Sequence, residues 1–315
     1  MTPGLDAPPT GRLRPLPRPV APVGNELRSS FVRRVALANR LNAEEFRAYV
    51  AADDRKRAAI PLDRLAILSG QPEPRLRRAL DDSSDPADPD GMVRAACTLC
   101  MAARNIAIPV TVRLAATAVV CPRHQRWLGA GHCNGQPPLH RHPEILAANR
   151  SHRALVRRLG PTRTRYALSD AEIVCQDWQR HNRHQTQCQE LLRRFHPHPT
   201  CIPAGAPTIE AARYPQVVAL AQILWSPTLR ELPFTPATVS RFVEAVRRTV
   251  APTFTWTTTS HYGRCDPLVE LFLTEQRCRR AGESTRSPVF ATPQRPFESW
   301  PDASLSSPSP SPSAA

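Results

Sequence analysis

Apolar positions recur at helical spacing over most of the chain. In NELRSSFVRRVALANRL, Leu27, Phe31, Val35 and Ala38 fall on one face, with Asn25 placed as the N-cap. A second helix is predicted in NAEEFRAYVAA, where Asn42 and Glu45 stand at capping-box spacing. The next segment, LDRLAILSGQPEPRLRRALDD, has Ala66 four residues before Gly70, then Leu76 and Ala79. That order suits a helix-turn-helix: a small residue at the crossing, a glycine at the turn, and apolar positions packing back. Pro74 fits the first turn of the second helix, which also carries Arg75, Arg77 and Arg78. Asp81 and Asp82 follow and oppose a polyanion there, and DDSSDPADPDG reads as an acidic linker.

Beyond residue 143 the pattern is helical again. Ile145, Leu146, Leu155, Val156 and Leu159 line one segment that Gly160 can end. A long helix opened by Ser169 is expected through SDAEIVCQDWQRHNRHQTQCQELLRRF, and YPQVVALAQILW is apolar enough to be buried. TPATVSRFVEAVRRTV offers Thr235 as cap and Pro236 at the first helical position; DPLVELFLTEQRCRRAG repeats the Asp-Pro start and ends in glycine. Strands do not alternate with helices, so a doubly wound sheet is not expected and the fold class is mostly α. The predicted organisation is a disordered Pro/Arg-rich N-terminus (1–22), a helical helix-turn-helix-like domain (23–82) and the acidic linker (83–92). A zinc-knuckle module (93–142), a helical C-terminal domain (143–282) and a disordered tail (283–315) follow.

Composition changes the picture at the level of partners. The net charge is +15, and Lys56 is the only lysine among 42 basic residues, so nearly all the charge is arginine. Such a field attracts polyanions, and guanidinium forks suit phosphates, which points to double-stranded DNA. A GC-rich genome would produce the same bias, which keeps open an interaction scaffold that never touches DNA. The nine cysteines are odd in number and lack the dense spacing of a secreted disulfide framework. With no signal-like or membrane-spanning apolar run, a reduced cytoplasmic, nucleoid-associated protein is expected.

The sharpest chemical signal is CTLC at 97–100 followed by VCPRH at 120–124. Cys97-x2-Cys100 and Cys121-x2-His124 are two knuckles, each able to turn two ligands to one ion; together they complete a tetrahedral set with no open position, as structural zinc needs. Trp127 is expected to extend the apolar cluster beneath the site. Weaker groups are Cys175, His181, His184 and Cys188 on one helical stretch, His196, His198 and Cys201 in a loop, and His132, Cys133, His140 and His142 after the knuckles. Cys265 and Cys278 read as incidental. There is no Gly-rich phosphate loop, Gly-x-Ser-x-Gly or His-Glu-x-x-His, and Glu144, Asp170 and Glu172 lie in helical context, so no enzyme is expected.

The chain resembles the TniQ family, related to the target-selecting TnsD proteins of Tn7-like transposons. The similarity runs from PLPRPVAPVGNELRSSFVRRVALANRLNAEEF through LDRLAILSG to the paired CTLC and VCPRH, roughly residues 14 to 130. PEILAANRSHRALVRR and YPQVVALA look more loosely like actinobacterial members. The resemblance implies a DNA-binding accessory protein of transposition that recruits an AAA+ ATPase, with or without a target-recognition complex, and carries its metal ligands onto Cys97, Cys100, Cys121 and His124. Gln125 stands where the family often has glycine, and only Cys133 remains of a further knuckle. A stand-alone zinc-containing transcription regulator is the alternative reading.

Overall fold

The computed structural model describes residues 13–51, 60–81, 91–129, 135–184, 186–197, 202, 206–226, 235–256 and 266–280. Eleven helices and six short strands lie among them, so the described chain is mostly α. The predicted tail at 283–315 and most of the acidic linker lie outside the described residues.

The N-terminal helices are α1 (Arg28–Ala38), α2 (Ala43–Ala51), α3 (Leu62–Ser69) and α4 (Glu73–Ala79). Phe31, Val35, Leu65 and Leu76 are fully buried at their common core. Each such side chain taken out of water contributes about 1.5–3 kcal/mol. The Asn42 side chain caps α2, accepting from the N–H groups of Glu44 (2.9 Å) and Glu45 (3.2 Å). Gly70 ends α3 in the left-handed region (φ 65°), which lets the chain reverse into α4 as a helical hairpin. Asn25 is not a cap: it also has positive φ (59°), and α1 begins later, after Leu27. Residues 13–22 are not detached. Leu13, Leu16 and Val20 pack on the helical core, and the N–H of Leu16 donates to the Leu68 carbonyl at 3.0 Å. Their apolar residues, spaced between prolines, give an extended strap a surface to bury.

A sheet fastens this region to the next. Its order is β2 (Leu80–Asp81), β1 (Glu26–Leu27), β4 (Thr111–Ala115), β3 (Gly91–Ala95). β1 pairs parallel with β2 and antiparallel with β4. Gly91 and Met92, expected in the linker, therefore begin a strand, because β4 supplies their hydrogen-bonding edge. The short pair β5 (Val120–Cys121) and β6 (Arg126–Trp127) forms a separate hairpin.

The C-terminal helices are α6 (Pro143–Leu159), α7 (Pro161–Arg180), α8 (Thr186–Phe195), α9 (Pro207–Leu224), α10 (Pro236–Thr249) and α11 (Pro267–Arg280); the small α5 (Thr98–Ala102) lies between β3 and β4. α9 is buried around most of its circumference and packs against α6, α7, α8 and α10. α7 opens at Pro161, directly after Gly160, so Ser169 lies inside it. It also stops at Arg180: Asn182 (φ 53°) and His184 (φ 48°) are left-handed, which breaks the expected long helix in two. Thr235 caps α10 in a reciprocal box with Thr238, and Asp266 Oδ1 accepts from the N–H of Leu268 at the start of α11. No helix of the described residues is long and apolar enough to cross a membrane.

Candidate metal centre

Cys97 is the N-cap of α5 and Cys100 sits one turn on, so the helix itself closes the first knuckle. The Met101 N–H donates to the Cys97 carbonyl at 3.0 Å. The second knuckle is the turn between β5 and β6, closed by the Gln125 N–H on the Cys121 carbonyl at 2.8 Å. Gln125 holds φ 45°, a left-handed conformation that favours glycine. That explains why a glycine would serve at this position, and Gln125 adopts the same backbone with its side chain in solvent.

The two turns bring one donor atom from each of Cys97, Cys100, Cys121 and His124 to within 4.8 Å of one another. His124 Nδ1 lies 3.5 Å from Cys97 Sγ, 3.3 Å from Cys100 Sγ and 3.8 Å from Cys121 Sγ, and the Cys100 and Cys121 sulfurs are 3.7 Å apart. This cluster can hold a metal ion. No disulfide joins the three thiols. Burial pushes the Cys100 thiol up to about 12, helped by its hydrogen bond to Cys121. Burial also acts on Cys121, but hydrogen bonds from the His124 backbone, Cys97 and the Arg123 backbone outweigh it and set that thiol below its ordinary value. A metal binds such thiols as thiolates, so its binding releases their protons.

Gln136, which gave no signal in the sequence, holds the first knuckle. Its Oε1 accepts from the Thr98 N–H at 2.9 Å, and its Nε2 donates to the Ala96 carbonyl at 3.0 Å. A buried glutamine thus satisfies one of the open amides at the start of α5 from thirty-eight residues away. Leu128 packs on Cys97 and Cys121. Trp127 packs with Val119 and Val120 of the apolar segment, as expected, but in a cluster apart from the ligands, where it meets Tyr214 edge-on at 5.0 Å and donates to Glu210 Oε2 at 3.3 Å. Successive strand residues face opposite sides, so Arg126–Trp127–Leu128 divides between the two clusters.

No second group of three or more metal-capable side chains assembles among the described residues. His181 pairs with Asp177, and His184 hydrogen-bonds Thr253 and stacks edge-on to Trp178. The break after α7 divides the single helical stretch expected to carry Cys175, His181, His184 and Cys188. Cys175 and Cys188 are buried free thiols; burial raises both, Cys188 to about 11. His142 is buried and stacked on Phe195 at 3.8 Å. His132, Cys133, His198, Cys201 and Cys265 lie outside the described residues, as does the side chain of Cys278.

Arg75, Arg77 and Arg78 all lie exposed on α4. They are not free of partners: Arg77 pairs with Glu73, and Arg75 Nη1 donates to Gln71 Oε1 at 3.0 Å. No model of a known protein family, no curated protein and no solved structure matches this chain.

Proposed function

We propose that this chain is a zinc-stabilised DNA-binding adaptor of the TniQ kind, acting in transposition target selection and recruiting an AAA+ ATPase. Zinc is favoured by the spacing of the four donors. Zn–S bonds of about 2.3 Å and Zn–N bonds of about 2.0–2.1 Å at tetrahedral angles separate two sulfurs by about 3.8 Å. They separate a sulfur from an imidazole nitrogen by about 3.5 Å. The Cys100 and Cys121 sulfurs are 3.7 Å apart, the three sulfur–nitrogen separations are 3.3–3.8 Å, and all four donors lie within 4.8 Å of one another. Four protein ligands leave no position for substrate, so the ion holds a shape and does no chemistry.

The observation that carries the reading is this closed centre, strapped by a sheet to a helical hairpin in a chain of net charge +15. Polyanion binding follows from the charge; the transposition role rests on the resemblance to TniQ. Full-length protein purified in zinc should bind a mixed-sequence duplex with log K falling linearly in log salt. Elemental analysis should give one zinc per chain, and Cys97→Ser or Cys121→Ser should lower metal content and melting temperature together. Absence of duplex binding at low salt would sink the DNA reading, and a metal-free yet fully folded protein would sink the zinc reading.

A further inference from the structure

The arginines of the helical hairpin are a weak polyanion surface. Residues 60–81 hold four arginines against Asp63, Glu73 and Asp81. Residues 145–169 hold six arginines and no acidic residue at all. Those six, Arg150, Arg153, Arg157, Arg158, Arg163 and Arg165, are all exposed. The first five make no ion pair or side-chain hydrogen bond with any described residue. The acids that flank the stretch are occupied: Glu144 accepts from Arg194 at 2.8 Å, and Asp170 is buried. From these observations we infer that the α6–α7 corner is the principal surface on which this protein meets the phosphate backbone of duplex DNA. The inference rests on the DNA-binding reading above and assigns its site.

The geometry suits a backbone contact. α6 turns Ile145, Ala148, His152 and Leu155 inward. At about 100° per residue, Arg150, Arg153 and Arg157 then fall within an arc of about 60° away from that buried face. They span about 10 Å of helix, the rise of about three consecutive phosphates on one strand. Arg157 and Arg158 precede Gly160, and Arg163 follows it in the first turn of α7, which contains no acidic residue. A cation at a helix N-terminus opposes the helix dipole, and like charges three or four residues apart each cost about 0.2–0.5 kcal/mol. Arg157 and Arg158, in the last turn of α6, complement that helix's dipole, so the unfavourable terms are those of Arg163 and the like-charge neighbours, which a bound polyanion offsets. An anionic membrane is a poorer fit, because the apolar face that would insert is already buried against α7 and α9.

The test compares three full-length variants with the wild type on one mixed-sequence duplex across a salt series. Each lost phosphate contact lowers the slope of log K against log salt by about 0.9. Arg150→Gln/Arg153→Gln/Arg157→Gln should therefore lower the slope by about 2–3, with unchanged melting temperature. The matching triple Lys variant should keep the slope, since a point charge serves a phosphate. Arg75→Gln/Arg77→Gln/Arg78→Gln should lower it by less than about 1. An unchanged slope in the α6 Gln variant overturns the assignment while leaving DNA binding intact. So does a loss confined to binding of phosphatidylserine vesicles. Wild-type protein that fails to bind at all removes the DNA reading and this site with it.

Discussion

Glu26 is wholly buried and Arg34 nearly so, and they form a two-point ion pair with Nε–Oε1 at 2.8 Å and Nη2–Oε2 at 2.7 Å. The carboxylate also accepts from Ser30 Oγ and the Val23 N–H, and Arg34 reaches the Ala21 carbonyl. Ser30 Oγ in turn accepts from the Thr111 N–H on β4 at 3.0 Å. One carboxylate therefore ties the extended N-terminal strap, α1 and the sheet under the metal centre into a single network. Removing one partner of a buried pair strands the other charge, so Glu26→Ala should cost about 3–5 kcal/mol, read as a lower urea midpoint. Glu26→Ala/Arg34→Met, which removes both charges, should recover a large part of that loss. A Glu26→Ala cost under about 1 kcal/mol would mean the pair is solvated and the network incidental.

At the level of elements, the features legible in the sequence are those decided within a few residues. Asn42 and Thr235 cap their helices, and Gly70 turns α3 into α4, because each outcome depends on side chains or backbone freedom close by. The knuckle ligands are legible for the same reason: two donors two residues apart can reach one ion through a single local turn. What is hidden depends on distant partners. β1 and β2 are two residues each, too short for any alternation, and exist only because they pair with each other and β1 with β4. Asn25 and Ser169 look like caps locally, yet β1 and Gly160–Pro161 move the two helix starts. Gln136 is the functional case. It reaches the first knuckle across the sequence, and loss of such outer partners typically lowers metal affinity 10–100-fold. Gln136→Ala should shift the chelator concentration that strips half the metal by roughly that factor, while the four ligands stay in place. Unchanged metal retention would make Gln136 a packing residue only.

Across the whole molecule, a buried polar layer joins the half that carries the Cys3His cluster to the C-terminal helices. Tyr214 of α9 meets His152 Nδ1 at 2.9 Å, and Asn149 of α6 donates to the Thr117 carbonyl at 2.9 Å. Arg94 of β3 is buried in the same neighbourhood, where its charge acts on both His152 and Tyr214. Burial, reinforced by Arg94 and Arg153, lowers His152 to about 4, against 6.5 for an ordinary histidine. The sign follows from proton counting. Between those values the unfolded chain binds a proton that the folded chain refuses, so acid favours unfolding. This contribution is intact above pH 6.5, is lost as pH falls toward 4, and changes by up to about 1.4 kcal/mol per pH unit between them. Acid also displaces a bound metal, because its ligands must be deprotonated, so the acid sensitivity of the wild type alone does not identify the histidine. The difference between wild type and His152→Gln removes that shared part. Urea midpoints at pH 7.5, 6 and 5 should converge as pH falls, because only the wild type loses stability through this group. Parallel midpoints would mean that His152 accepts its proton without disturbing the layer, and that the two halves are held together by apolar contact around Trp127.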